Sequence, residues 1–572
     1  MNGLEEVGIP GREYLREALT NCNDPLQAIQ EFQTENGILL PSLRTILPLL
    51  DLHEVKRYDF HHSVLEELKD KLLKQIDKMA SSESTDKEKS LKELLEKSFP
   101  VIRIQTLQPI VMSLLKNLER IDDKYLKQIV ADRELYEKCD LSVKRQIWQQ
   151  HQGLFGDEVS PLFSAYIKEK DTMLFSLQSG SFFAMTPKQR RQSEIIQNLV
   201  KIIGRNVLLY DTCLQFLRTL FLSTKNSHYC TLRVDLLMAL HDADIQDITS
   251  MDPCHKFAWC LDACIREQNI DPKRSRELQG FLEGVKRGQE QVIGDLSMTL
   301  CDPYAVNFLA NKAIKIANNL INNENLAREN LVLMLILRML NLGLHSWDIL
   351  NSQVYREPKL DVELVTRFLP VLMSLIVDDQ VRAVNSKLPP DDRESALTII
   401  EHSGPPPDLY QKFITEDRLA TELAIYYTLQ VLRQKDRNAV VRVLGFLSNC
   451  HDNRISDDRI LHSLVSFLIP MADEFSLEDF CTAVFDEIFL SNLDQLNVPY
   501  HLIKLMHHVY NHLPAHRLDL LIKTLTACPI ENEKAKEMLT DLVKKVEDFK
   551  AEADKKAEEP PQEDIALPLP VV

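Results

Sequence analysis

Apolar residues recur every three or four positions along most of this chain, the spacing of a helix with one buried face. No segment shows the strict alternation of a half-buried strand. Helix starts are marked by Asp-Pro pairs at Asp24-Pro25, Asp252-Pro253, Asp271-Pro272 and Asp302-Pro303, with Thr186-Pro187 as a fifth. Asp or Thr caps the free amides of a first turn, and Pro in the first helical position gives up no hydrogen bond there. The last three Asp-Pro pairs predict helices over 253–268 and 272–296 joined by a short turn, a helix hairpin. Thr186-Pro187 predicts a helix closed by Gly204.

Hairpin spacing of this kind continues through most of the chain without a surviving sequence repeat. The expected fold is all-α, a HEAT-like helical-repeat solenoid in two lobes with a disordered C-terminal tail. Residues 1–387 form the expected N-terminal lobe. The Pro-rich stretch 388–408 is the expected linker, and 409–549 a smaller C-terminal lobe. From 550 to 572 the chain is acidic and Pro-rich, the composition of a disordered tail.

Within 280–294 the helical pattern carries an oddity. Leu278, Phe281, Leu282, Val285, Val292, Ile293 and Leu296 fall on one apolar face, while Gly280, Gly284, Gly288 and Gly294 fall together on another. Each Gly in an exposed helix interior costs roughly 1 kcal/mol against Ala, so a stripe of them asks for a close backbone approach. Either the next helix of the same chain or a partner can supply it. Lys273, Arg276 and Arg287 lie beside the stripe.

Gly is scarce, at 15 of 572 residues against the usual ~7%, which reinforces the helical reading. The formal charge is −18, so any nucleic-acid contact needs a local basic patch. No signal-peptide pattern opens the chain, residue 2 is Asn, and the longest apolar run, Leu331 to Leu337, is too short to cross a bilayer. Eleven cysteines without an even framework suit free thiols in a reducing compartment. These features predict a soluble intracellular protein.

No phosphate-binding loop, dinucleotide fingerprint, zinc-protease motif, EF-hand or nucleophile elbow occurs. Cys254, Cys260 and Cys264 share an apolar helix face with Phe257, Leu261 and Ile265, and His255 points elsewhere, so core cysteines are expected rather than a zinc site. His255, Trp259, Asp262 and Arg266 line up on the opposite face. An amphipathic Trp among polar neighbours suits a partner interface, and packing against an adjacent helix suits it as well. His508 and His512 have metal-binding spacing, with His507 and His516 nearby, but Pro514 breaks the helix and no carboxylate completes the set. Rim histidines are expected there. Basic clusters stand at Lys188/Arg190/Arg191, Arg433/Lys435/Arg437, and Lys273/Arg274/Arg276 with Lys286/Arg287. Solvated helix faces are the default for all three. The last, beside the glycine stripe, is the candidate RNA contact.

Several blocks carry a resemblance: HYCTLR (228–233), DPCHKFAWCLDACIRE (252–267), SRELQGFLEGVKRGQEQVIGDLSM (275–298) and LCDP (300–303). Shorter ones, among them QTENGILLPSL (33–43), LFGDEVSPL (154–162) and ADEFSLEDF (472–480), run in order across most of the chain. Together they resemble the B subunits of the negative elongation factor. The linker and tail do not share the resemblance.

The resemblance implies a nuclear, non-enzymatic helical scaffold without cofactors. It implies a bridge between the C/D subunit, which carries the A subunit, and the E subunit. It also implies that the complex, with the DRB-sensitivity-inducing factor, holds RNA polymerase II in promoter-proximal pausing, with some RNA contact. A different HEAT-type adaptor or transport scaffold and a metalloenzyme built on the Cys/His clusters are the competing readings.

Overall fold

The computed structural model describes residues 57–82, 86–177, 180–285, 290–323, 326–385, 387, 389, 407–448 and 454–558, together with Gln27 and Glu31. Among these residues every regular element is helical, and the chain is an all-α helical-repeat protein. Two compact units divide it at 155/156, inside the helix Gln152–Leu174. The first buries its own core from Leu68 to Ile147, including Val111, Leu114 and Ile129. In the second, one continuous core runs from Cys254 to Val546.

That core spans the stretch expected to separate two lobes. Phe368 and Leu372 on one side of it and Tyr410, Leu423 and Tyr427 on the other are buried in the same cluster. Tyr427 Oη donates to the Leu375 carbonyl at 3.2 Å. Helices flanking a Pro-rich connector pack together when both have apolar faces to hide, so composition alone misplaced the division. The connector itself lies almost wholly outside the described residues. The last helix, Glu533–Glu558, runs past the expected boundary at 550, and 559–572 lies outside the described residues.

The capping signals are matched by local geometry. Asp252 Oδ1 accepts from the Cys254 amide at 2.7 Å, Asp271 Oδ1 from Lys273 and Arg274 at 2.8 and 2.9 Å, and Asp302 Oδ1 from Tyr304 at 3.3 Å. The helices they precede are His255–Glu267, Pro272–Val285 and Pro303–Asn322. The single helix expected over 272–296 is two elements, Pro272–Val285 and Glu290–Leu300, with 286–289 outside the described residues. Thr186 opens a capping box with Gln189, but the helix ends at Arg191 and a second one, Glu194–Ile203, restarts after Ser193. Gly204 closes it at φ 58°, a left-handed conformation suited to glycine.

The last carbonyls of Gln152–Leu174 and the segment after it receive partners from far along the chain. His462 Nδ1 lies 2.8 Å and Lys504 Nζ 3.4 Å from the Leu174 carbonyl, and Tyr500 Oη donates to the Phe175 carbonyl at 3.0 Å. A helix end leaves such carbonyls without intrahelical donors. Here the donors are buried side chains some 290–330 residues later.

Candidate interaction surface

The hairpin His255–Glu267 and Pro272–Val285 buries the face the periodicity assigned to the core. Cys254, Phe257, Cys260, Leu261, Cys264, Leu278 and Leu282 are all buried in one cluster, and Phe281, Val285 and Ile265 pack on its edge. Burial pushes the Cys254 thiol above its usual range.

On the opposite face Trp259 is 47% exposed, a large aromatic left half in water. His255 sits beside it, Nε2 3.1 Å from His241 Nδ1, and burial followed by that neighbour lowers its pKa. Arg266 is partly exposed. Asp262 does not belong to the open surface. It is 6% exposed and accepts from Arg191 Nη1 at 2.7 Å and Arg266 Nε at 2.9 Å. Burial and two guanidinium hydrogen bonds hold this carboxylate inside the fold, where a partner does not reach it. The exposed face is therefore Trp259 with His255 and Arg266 at its edges.

The glycine stripe splits into unlike parts. A Cβ built at Gly280 or Gly284 meets nothing within 4 Å, so both are bare backbone facing solvent and no other helix of this chain closes on them. At Gly294 a Cβ would fall 2.8 Å from Tyr355 Cε1 and 2.9 Å from Leu350 Cδ2, a packed internal position. Gly288 lies outside the described residues. The tightest backbone approach is elsewhere, at Gly343, where a Cβ would stand 2.5 Å from the Leu300 carbonyl oxygen. Sequence reading passed over Gly343, although a glycine inside the apolar helix Leu331–Leu344 was the available signal.

The basic clusters separate just as sharply. Arg190 and Arg191 are buried, not solvated. Arg190 donates to Asp235 at 3.1–3.3 Å and stacks 3.8 Å from the Tyr304 ring centroid. Arg191 Nε holds Asp242 at 2.8 Å. Arg433 lies over the Phe467 ring, and Arg437 pairs with Glu474 and Asp479. In the third cluster Arg274 is engaged by Glu267 at 2.5 and 2.7 Å. Lys273 and Arg276 are exposed, and Arg276 Nε donates to the Pro272 carbonyl at 3.1 Å. Lys286 and Arg287 lie outside the described residues. Lys273, Arg276, Gly280 and Gly284 thus share an exposed face.

Elsewhere the histidines of the C-terminal region part company. His507 Nε2 meets the Met538 carbonyl at 2.9 Å, His512 pairs with Asp473 and His516 with Glu478. No group of three or more His, Cys, Asp or Glu converges among the described residues.

The family described as Cofactor of BRCA1 (COBRA1) matches residues 105–449, more than half of the chain and all of the hairpin. A relative from Drosophila melanogaster, Negative elongation factor B, is 60% identical over 534 residues, 93% of this chain and 90% of its own length. Proteins of the same name from Mus musculus and Homo sapiens are each 48% identical, over 99% and 100% of this chain and 98% of their own lengths. A family match over more than half of the chain and identities of 48–60% over nearly all of it settle the matter: this chain belongs to the negative elongation factor B family.

Proposed function

We propose that the chain is the non-enzymatic scaffold subunit of a nuclear negative elongation factor complex, bridging the C/D and E subunits. The A subunit joins through C/D. With the DRB-sensitivity-inducing factor, the assembly holds RNA polymerase II in promoter-proximal pausing. Full-length similarity to relatives that bear the name Negative elongation factor B carries the reading. A scaffold also suits a half-exposed Trp259, which presents a large apolar area at little entropic cost on a helix already fixed by its buried face.

Co-expression with C/D and E subunits, followed by size-exclusion chromatography, tests the bridge. One peak containing all three is expected. A chain that elutes with neither would remove the scaffold reading.

A secondary RNA contact is assigned to Lys273 and Arg276, with Lys286 and Arg287 as sequence neighbours. Reversing all four to Glu is expected to weaken RNA binding by the assembled complex and to flatten its salt dependence. Arg274 is left intact because Glu267 already occupies it. Unchanged affinity at low salt would return the cluster to solvent.

A further inference from the structure

Leu496 is the most exposed large apolar side chain among the described residues, at 79%. Hydrogen bonds fix the loop that carries it. The Gln495 amide donates to the Asn492 carbonyl and the Val498 amide to the Gln495 carbonyl, both at 3.1 Å, and Asn497 Nδ2 donates to the Ser456 carbonyl. A leucine held in water on such a loop forgoes the gain of burial, and covering it costs little further ordering.

Beside Leu496 lies a groove of about 940 Å³. Part of its wall is aromatic and preset: Phe175 and Tyr500 meet edge to face at 4.2 Å, and Tyr500 Oη donates to the Phe175 carbonyl at 3.0 Å. Ile530, just after the helix Ala515–Ala527, lines it as well. The charged residues of the lining are Asp171, Asp458, Asp494 and Glu531, and none of the lining residues is Lys, Arg or His.

These carboxylates are poorly compensated. Among the described residues no salt bridge engages Asp171, Asp494 or Glu531. Asp458 accepts from His501 Nε2 at 3.2 Å, and burial lowers the His501 pKa, so the ring donates as a neutral group. Burial and then the charge of Asp458 raise the Asp171 pKa, as they do where no cation intervenes. The formal charge of −18 does not by itself produce such a lining. Two other cavities, of about 590 and 440 Å³, mix their signs. Arg418 and Arg459 stand among the acids of the first, and Lys92 and Arg120 among those of the second.

We propose that this groove docks a basic, apolar segment of a partner protein. Leu496 and Ile530 receive its aliphatic side chains, and the four carboxylates receive its Lys or Arg. Charge complementarity selects the cations, and an exposed leucine rimmed by polar residues marks a protein contact. Lys and Arg suit both parts of the groove, because their stems lie on apolar walls while their heads reach carboxylates. This surface is built from other helices than the one bearing Trp259, and it stands whether or not the scaffold reading does.

The test uses the purified full-length chain and three fluorescein-labelled peptides, read by fluorescence anisotropy at physiological salt. The first is two copies of Leu-Lys-Lys-Leu-Leu-Lys-Leu. The second has Ser for every Leu, and the third has Glu for every Lys. The first should bind, the second should bind about tenfold more weakly, and the third should not bind. Leu496→Ser/Glu531→Lys alters two exposed positions of the groove and should weaken the first peptide about tenfold. Leu520→Ser/Glu547→Lys makes the same exchange at exposed positions outside the groove and should leave its binding unchanged. The proposal is overturned if the first peptide does not bind, or if the Ser peptide binds as tightly. Equal behaviour of the two double variants would overturn it too, because the general acidity of the chain would then hold the peptide.

Discussion

At the helix Pro187–Arg191 two guanidiniums are sealed under the fold, Arg190 against Asp235 and Arg191 between Asp242 and Asp262. On Pro272–Val285, Lys273 and Arg276 stand in water beside bare glycine backbone. Both stretches are short, basic and helical. The difference lies in what arrives from elsewhere in the chain. His228–Asp242 brings Asp235 and Asp242, and His255–Glu267 brings Asp262, so burying Arg190 and Arg191 leaves few charges unmatched. Carboxylates from other elements decide which cation goes inside, since an isolated buried charge is prohibitive.

The buried side gives the largest expected effect. Arg190→Ala strands Asp235 at 1% exposure and should cost about 3–5 kcal/mol, read from urea denaturation of the full chain. The double variant Arg190→Met/Asp235→Leu should recover most of that loss. A single variant as stable as wild type would erase the distinction between the two stretches.

The glycines supply the next two steps. Gly343→Ala forces a methyl against the Leu300 carbonyl and should cost about 1–3 kcal/mol, as overpacking does. Gly284→Ala meets open space and should stabilise by up to about 1 kcal/mol. A drop in melting temperature for Gly284→Ala would show a packed neighbour where the structure has solvent.

Smallest of all in stability is Trp259→Ala, with an expected change within about 0.5 kcal/mol because the side chain already stands half in water. Its consequence should appear in assembly with the other subunits. A Trp259→Ala variant that melts early yet assembles normally would move Trp259 to the packed side of the comparison.

Most of the helix positions were legible because they depend on neighbours in sequence. Asp252, Asp271 and Asp302 cap as short-range chemistry dictates, and the apolar stripe Leu278/Leu282/Leu296 buries as its period demands. What escaped depends on residues far apart in the chain. Asp262 looks like a surface acid until Arg191 reaches it, and Gly284 looks like Gly294 until the neighbours of each are known. The break after Arg191 left no mark in the local sequence, which favours one helix through to Ile203. The boundary at 155/156 left no compositional mark, whereas the helices on either side of the Pro-rich stretch that did leave one share a single core.

The donors that meet the Leu174 and Phe175 carbonyls set a timetable for birth on the ribosome. Leu174 is synthesised some 288 residues before His462 and 330 before Lys504. At ~5–20 residues per second the helix end waits roughly 15–65 s for its last partner. During that interval the nascent second unit has its early helices without their terminal donors, a state that molecular chaperones would meet. A transcript truncated before the codon for His462 would hold the chain in that waiting state permanently.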